Sequence, residues 1–152
     1  MAEETITAGE QAPEFSLPDQ NEELVELSDF AGKRVLLSFH PLAWTSVCRN
    51  QMEALEEKYD EFTRKNIVPL GISVDPVPSK QAWAEDMSLT ELNLLSDFWP
   101  HGQMSVKYGI FLKDKGISER ANIVVDEQGK VEHVKIYPIG ELPDFDELLQ
   151  EL

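Results

Sequence analysis

Hydrophobic and polar positions alternate, or run together in short blocks, and these blocks predict the order of strands and helices. Residues 14–27 place Phe15 and Leu17 before a polar turn and a second apolar stretch, a pattern that predicts a β-hairpin. Residues 34–39 (RVLLSF) are almost continuously apolar, as in a buried central strand. Pro41 ends this strand because proline has no N–H to donate to a sheet.

The segment that follows Pro41 has the apolar period of a helix. Apolar residues separated by steps of four and three indicate one long helix with a single buried face: Cys48, Met52, Leu55, Tyr59 and Phe62. In this helical phase the side chain of Cys48 points inward. Its neighbour Arg49 is rotated by about 100 degrees and therefore faces elsewhere.

The rest of the chain continues the alternation of strands and helices. The pattern predicts a helix over 78–87 with Ser79 as its N-cap, a C-terminal helix over 143–152 that opens with proline and acidic residues, and strands over 66–75, 92–97 and, as a pair, 121–137. This order predicts an α/β layer fold with a mixed sheet. No repeat and no linker divides the sequence, so we expect residues 1–152 to form a single domain.

Composition and charge exclude several classes of partner. Hydrophobic residues make up 41% and charged residues 28% of the chain, as in a soluble globular protein. The 29 acidic and 13 basic residues give a net charge of −16, which repels nucleic acid and anionic membrane surfaces. No apolar run approaches the roughly 20 residues of a membrane span, and the acidic start lacks the features of a signal peptide. The spacing of the three histidines and of the acidic residues predicts no metal site, and we expect no cofactor.

Cys48 is the only cysteine, so the chain can form neither an internal disulfide nor a multi-cysteine metal site. A free thiol without an export signal favours a cytoplasmic location. A lone cysteine is commonly an inert core residue. Cys48, however, follows the carboxyl end of the 34–39 strand, where open α/β sheets bind ligands.

The position of Cys48 in the first helical turn adds a chemical argument. We expect Thr45 to cap the helix by accepting a backbone N–H bond, with Ser46 as the alternative cap, and this places Cys48 at the third helical position. The positive end of the helix favours a thiolate there, whereas burial opposes it. A reactive Cys48 therefore requires a cation from a distant segment.

Residues 41–48 (PLAWTSVC) match the PxxxTxxC motif of peroxiredoxins, which are thiol peroxidases, and they stand between a strand and a helix as in that family. The segments 27–41 (LSDFAGKRVLLSFHP) and 118–131 (SERANIVVDEQGKV) also resemble peroxiredoxins. Residues 94–110 (LLSDFWPHGQMSVKYGI) resemble the one-cysteine AhpE-like and bacterioferritin-comigratory-protein-like subgroup. The resemblance extends from about Ala8 to the end of the chain. It implies a thioredoxin-like fold, with a mixed central sheet flanked by helices and an N-terminal β-hairpin.

The resemblance also implies an activity and a role for each matching residue. The activity is thiol-dependent reduction of hydrogen peroxide or organic hydroperoxides. Cys48 would attack the peroxide and become a sulfenic acid, Thr45 would bond both the thiolate and the peroxide, Pro41 would shield the sulfur, and Arg120 would supply the missing cation. Gln51, one turn after Cys48, would either orient Arg120 or be an ordinary exposed helix residue.

Three positions depart from the pattern of the family. Glu53 stands where many members carry a second, resolving cysteine, so the sulfenic acid must be reduced by an external thiol: a redoxin, a low-molecular-weight thiol or a partner's cysteine. His40 replaces the usual aromatic residue and Trp44 is bulkier than usual, and both bear on substrate size. The habit of the family further suggests a homodimer or a higher homo-oligomer.

Two other functions stay open on the sequence alone. The missing second cysteine is also consistent with a non-enzymatic redox-sensing or partner-binding module on the same fold. A cysteine hydrolase would need His101 or His133 beside Cys48 as an activating base, and no sequence feature indicates that pairing.

Overall fold

The computed structural model describes residues 4–152. Its strands are β1 (Ser16–Pro18), β2 (Leu24–Glu26), β3 (Arg34–Phe39), β4 (Ile67–Ser73), β5 (Asn93–Ser96), β6 (Phe111–Leu112), β7 (Ile117–Ser118), β8 (Arg120–Val125) and β9 (Val131–Tyr137). Its α-helices are α1 (Ser46–Glu57), α2 (Tyr59–Arg64), α3 (Val77–Asp86), α4 (Gln103–Lys107) and α5 (Phe145–Glu151), and a 3₁₀ helix spans Leu27–Phe30.

The central sheet has five strands in the order β5-β4-β3-β8-β9. The apolar strand β3 lies in the middle, parallel to β4 and antiparallel to β8, so that Phe39 pairs with Ile72 on one side and with Ala121 on the other. This arrangement confirms the predicted α/β fold with a mixed sheet. The predicted N-terminal hairpin is also present, because β1 pairs with β2 in antiparallel register.

The two faces of β3 carry different residues because side chains alternate along a strand. Val35, Leu37 and Phe39 pack on the face covered by the N-terminal segment, the hairpin and α4. Leu36 packs on the opposite face, together with residues of α1, α3 and α5. Ser38 continues the helix-facing side of β3, so this strand presents a polar residue to the helix layer just before its end.

The predicted long helix is in fact two helices, α1 and α2. They are separated at Lys58, whose backbone angles of φ −97° and ψ 9° leave the helical range. The buried row nevertheless continues in phase from α1 to Phe62 in α2, which packs edge-on against Phe145 of α5. The apolar period alone therefore contained no signal for the break.

Gly71 allows α1 to approach the sheet closely. A Cβ at this position of β4 would lie 2.5 Å from Met52 Sδ and 2.9 Å from Leu94 Cδ2. The absence of a side chain thus lets α1 pack against β4, and this contact helps to set the height of the first turn of α1 above the sheet.

Two local predictions at the helix ends have different outcomes. Ser79 is not the N-cap of α3, because the helix begins at Val77 and Pro76 occupies the cap position. Pro78 follows in the first turn, where proline is tolerated because its missing N–H would have no partner there. The predicted acidic first turn of α5 is confirmed, since it carries Asp146 and Glu147, whereas Pro143 precedes the helix and Asp144 is the N-cap, accepting a bond from the Glu147 N–H at 3.1 Å. Among the described helices, none is long and apolar enough to cross a membrane.

Candidate active site

The loop over residues 40–45 carries the chain from β3 to α1 and is fixed at several points. The His40 N–H donates to Ile72 O at 2.9 Å, and the Ala43 N–H donates to the Asp75 carboxylate at 2.8 Å. Pro41 is buried, and Trp44 has a positive φ of 69° that turns the chain into the helix. The loop therefore sets where α1 begins.

Thr45 occupies the predicted N-cap position of α1, but the expected capping bond is absent. Its hydroxyl donates to the Leu42 carbonyl at 2.8 Å and accepts no bond from an N–H of the first turn. This bond satisfies a carbonyl of the turn that leads into the helix, which explains why the side chain points back along the loop. The Thr45 side chain is exposed at the start of α1.

Cys48 lies in the first turn of α1, as predicted, with only 1% of its surface exposed. Arg120, at the start of β8, is also buried, and its Nη1 lies 3.4 Å from Cys48 Sγ. The structure thus brings together a thiol and a guanidinium that are 72 residues apart in the chain. The distant cation that a reactive Cys48 requires is in place.

The guanidinium of Arg120 is held on two sides. Nη1 also donates to Gln51 Oε1 at 2.6 Å, while Nε and Nη2 both donate to the Ile139 carbonyl, at 3.0 and 2.6 Å. Gln51 is completely buried and is not an exposed helix residue. Of the two possibilities for Gln51, the structure shows the contact with Arg120.

A chain of buried polar groups fixes the orientation of the Gln51 amide. Its Nε2 donates to Ser38 Oγ at 2.8 Å and to the Phe39 carbonyl at 3.2 Å, which directs Oε1 towards Arg120. Ser38 in turn donates to Asn122 Oδ1 at 2.8 Å. These residues come from neighbouring positions of β3 and β8, so the sheet register itself aligns the arginine.

A second buried pair, Lys80 and His40, was not predicted from the sequence. Lys80 lies on α3, both side chains are fully buried, and Lys80 Nζ is 3.1 Å from His40 Nε2. Burial lowers the pKa of Lys80 to about 7, and attraction to Asp75, Cys48 and Asp97 partly opposes this effect. The site therefore contains an amine that titrates near neutral pH.

The His40 ring is neutral in this environment. Burial lowers its pKa well below the usual value, and the positive charges of Lys80 and, more weakly, Arg120 add to the effect, while the Ser38 backbone carbonyl opposes it. A neutral ring can accept a hydrogen bond from the Lys80 ammonium.

The two histidines that a cysteine hydrolase would need are elsewhere. His101 is exposed and bonds the Gly116 carbonyl at 2.7 Å, and His133 lies 3.8 Å from Glu151. Neither bonds to Cys48 among the contacts of the described residues. Arg49, as expected, faces away from the sulfur and pairs with Asp86 and Glu53.

This geometry is suited to the reduction of peroxides by a thiol. A guanidinium beside a thiol at a helix N-terminus stabilises the thiolate, and it also stabilises negative charge on an oxygen that leaves when an O–O bond breaks. An α/β sheet with a thiol after its central strand, and with a guanidinium beside that thiol, is consistent with the class of thiol peroxidases.

Comparison with known proteins identifies the family. The AhpC/TSA family model matches residues 8–134. Alkyl hydroperoxide reductase E of Mycobacterium tuberculosis (strain ATCC 25618 / H37Rv) is 41% identical over 140 residues, which cover 91% of each chain. Peroxiredoxin Bcp of Escherichia coli (strain K12) is 36% identical over 135 residues, 85% of each chain. A crystal structure of the reduced 2-Cys peroxiredoxin of Plasmodium vivax superposes with a TM-score of 0.88 at 30% identity, covering 96% of this chain and 80% of that one.

The chain therefore belongs to the AhpC/TSA family of peroxiredoxins, and its fold is thioredoxin-like. It is a thiol-dependent peroxidase that reduces hydrogen peroxide or organic hydroperoxides. Because the sequence contains one cysteine, the enzyme is of the one-cysteine type and an external thiol must reduce it after each turnover. Membership of this family argues against the two alternatives, a non-enzymatic redox-sensing or partner-binding module and a cysteine hydrolase.

Proposed function

We propose that Cys48 is the peroxidatic cysteine. Its thiolate attacks the terminal oxygen of the peroxide, so that an S–O bond forms while the O–O bond breaks. The sulfur becomes a sulfenic acid, and the departing hydroxide or alkoxide takes up a proton to give water or an alcohol. The observation that carries this proposal is the 3.4 Å contact between Cys48 Sγ and the buried guanidinium of Arg120.

Arg120 stabilises charge at two stages of this reaction. It favours the thiolate before attack, and it offsets the negative charge that develops on the leaving oxygen. The bonds from Arg120 to Gln51 and to the Ile139 carbonyl hold the guanidinium in place beforehand. Little reorganisation is then needed when the peroxide reacts.

Thr45 and Pro41 complete the site in this proposal. The Thr45 hydroxyl donates its proton to the Leu42 carbonyl, which leaves the oxygen suited to accept a bond from the peroxide O–H. A bond from Thr45 to the thiolate requires the hydroxyl hydrogen to rotate away from Leu42. Pro41, which is buried in the loop before α1, shields the sulfur from water.

We further propose that the reductant is a redoxin or a low-molecular-weight thiol. Glu53, on the position of the missing second cysteine, lies 3.5 Å from Arg49 in an ion pair on the outer side of α1. A single cysteine that works as a free thiol suits the reducing cytoplasm, where we place the enzyme. We also propose that residues 1–152 act as one domain and assemble as a homodimer or a higher homo-oligomer.

Mass spectrometry of the intact protein tests the role of Cys48. After one equivalent of peroxide, we expect the protein to gain one oxygen atom at Cys48, and added thiols should convert this product to a mixed disulfide and then to the free thiol. Cys48→Ser should gain no oxygen under the same conditions. An unmodified wild-type Cys48, or oxygen added first to a methionine, would contradict the proposal.

A further inference from the structure

Lys80 is an unusual residue to find in a protein interior. Lysine is almost never fully buried unless it is paired, because burial of its charge is costly. Yet its exposed fraction is 0%, and it takes part in none of the salt bridges among the described residues. The hydrogen bond from Lys80 Nζ to His40 Nε2, at 3.1 Å, is its close polar contact. Because burial of the Lys80 charge costs free energy, we looked for a function of this side chain in the neighbouring site.

The topology brings this pair to the site of Cys48. His40 directly follows β3, and continuation of the Phe39–Ala121 register places it opposite Arg120 on β8. Lys80 comes from the other side of β3, on the helix that follows β4. The end of β3 therefore lies between two cationic side chains, Arg120 at the start of β8 and Lys80 in the helix that follows β4.

Packing on the helix-facing side of the sheet connects Lys80 to the sulfur. Trp83, one helical turn after Lys80, belongs to the same buried cluster as Cys48. The Trp83 ring also lies 5.4 Å from the His40 ring, centroid to centroid. Lys80, His40 and Cys48 thus share one water-poor region, in which charges act over longer distances than they do in water.

We propose that Lys80 is a positioning residue for the peroxide reaction: its ammonium, held by His40, is a second positive charge that favours the Cys48 thiolate alongside Arg120. The inference rests on the proposed role of Cys48. Lys80 acts through the sulfur and transfers no proton to the peroxide.

His40 gives the lysine its acceptor. The neutral ring bonds the amine without adding a charge of its own, and the aromatic residue that peroxiredoxins usually carry at this position would leave the ammonium without that bond. His40 and Lys80 therefore work as a matched pair across β3 and α3.

The contribution of Lys80 depends on pH. The groups that act on its amine are His40 at the end of β3, Asp75 after β4, Cys48 in α1 and Asp97 after β5, with Arg120 acting on the His40 ring. Because the pKa of Lys80 is about 7, its charge is present below neutral pH and is lost above it. Its support for the thiolate is therefore strongest in acid and fades in alkali.

The test measures Cys48 alkylation by iodoacetamide from about pH 5 to about pH 9. Lys80→Met removes the charge, and Lys80→Arg keeps it at every pH. Lys58→Met is the matched control. It removes a lysine charge at the far end of α1, about 15 Å along the helix from Cys48. Peroxide oxidation is followed in parallel by stopped-flow fluorescence.

We expect Lys80→Met to move the midpoint of alkylation up by about one pH unit. The alkylation rate of Lys80→Met should be several-fold lower than that of wild type at acidic pH and should approach the wild-type rate at alkaline pH. Lys80→Arg should keep the wild-type midpoint, and Lys58→Met should behave as wild type. A merely structural role would lower the rate equally at all pH values, and that result, or an unchanged midpoint, would overturn the inference.

Two further readouts keep the test decisive. The folded state depresses the pKa of Lys80, so its cost to stability is fully present below about pH 7 and disappears as the pH rises towards the ordinary pKa of lysine. Lys80→Met should consequently melt no lower than wild type near neutral pH, and Lys80→Gln replaces it if it fails to fold. Alkylation needs no peroxide, so a shifted midpoint combined with slow peroxide oxidation would retain the charge effect and reject the peroxidase role of Cys48.

Discussion

Cys48 is a buried thiol, and its proposed reactivity depends on the residues around it. Its Sγ lies in the first turn of α1, 3.4 Å from the buried Nη1 of Arg120. The proposed reactivity depends on Arg120 keeping its charge directed at the sulfur. We expect Gln51 to control this orientation, because its Oε1 accepts a hydrogen bond from the same Nη1 group.

Gln51→Glu tests this control of Arg120 with almost no change of shape. The new carboxylate would neutralise Arg120 and would place a negative charge one helical turn from the sulfur. We expect peroxide oxidation to slow by about tenfold or more, and the alkylation midpoint of Cys48 to rise. Stopped-flow fluorescence and iodoacetamide alkylation measure the two effects.

Gln128→Glu provides the control for Gln51→Glu. It adds the same charge in the turn between β8 and β9, at the opposite end of the sheet from the site. We expect wild-type rates for it. Equal rates for wild type and Gln51→Glu would show that Gln51 does not control the arginine.

The residues of the proposed site differ in how far the sequence predicts them. The motif drew attention to Pro41, Thr45 and Cys48, whereas Arg120 came from the family resemblance, because no local pattern reports a contact across 72 residues. Lys80 was missed although a signal existed. It shares the helical spacing of the buried residues Trp83, Ala84 and Met87, and a lysine in such a row is unexpected.

At the scale of elements, the contact between α1 and β4 positions the site. Gly71 makes this contact possible, since any side chain there meets Met52 and Leu94. Met52 lies one turn after Cys48 on the same buried row, so a displacement of Met52 would also displace the start of α1.

Gly71→Ala should therefore destabilise the fold. We expect a loss of about 1–3 kcal/mol, because the added methyl would lie 2.5 Å from Met52 Sδ and 2.9 Å from Leu94 Cδ2, so that these two buried side chains would have to shift within a packed core. Urea unfolding measures this change. The control is Gly140→Ala, whose added methyl meets nothing within 4 Å and should change stability by less than about 0.5 kcal/mol. Equal stabilities for the two variants would refute the role of Gly71.

The elements themselves were predicted well where one physical signal dominates. The apolar run of β3 gave the bounds of the strand, and proline with acidic residues marked the start of α5. The break at Lys58 was missed because the buried row stays in phase across it. The prediction of a capping bond from Thr45 was wrong, because the Thr45 hydroxyl bonds to the Leu42 carbonyl instead. The sequence does not show in which direction that carbonyl points.

At the scale of the whole molecule, assembly is a prediction of its own. The loop before α1 exposes Leu42 and Trp44, and the segment after β5 exposes Phe98 and Trp99, which is 80% exposed. Contact with another copy of the chain would remove such apolar surface from water. We expect sedimentation equilibrium to give at least twice the monomer mass of 17.3 kDa. A monomer mass at micromolar concentration would contradict this expectation.

The most direct test of the account is the rate at which peroxide oxidises Cys48. Trp44 adjoins Thr45 and Trp83 shares the buried cluster of Cys48, so oxidation should change the tryptophan fluorescence in a stopped-flow experiment. We expect a second-order rate constant far above that of free cysteine, which Cys48→Ser abolishes and Arg120→Met reduces strongly. A wild-type rate no faster than that of free cysteine, or a signal that persists in Cys48→Ser, would contradict it.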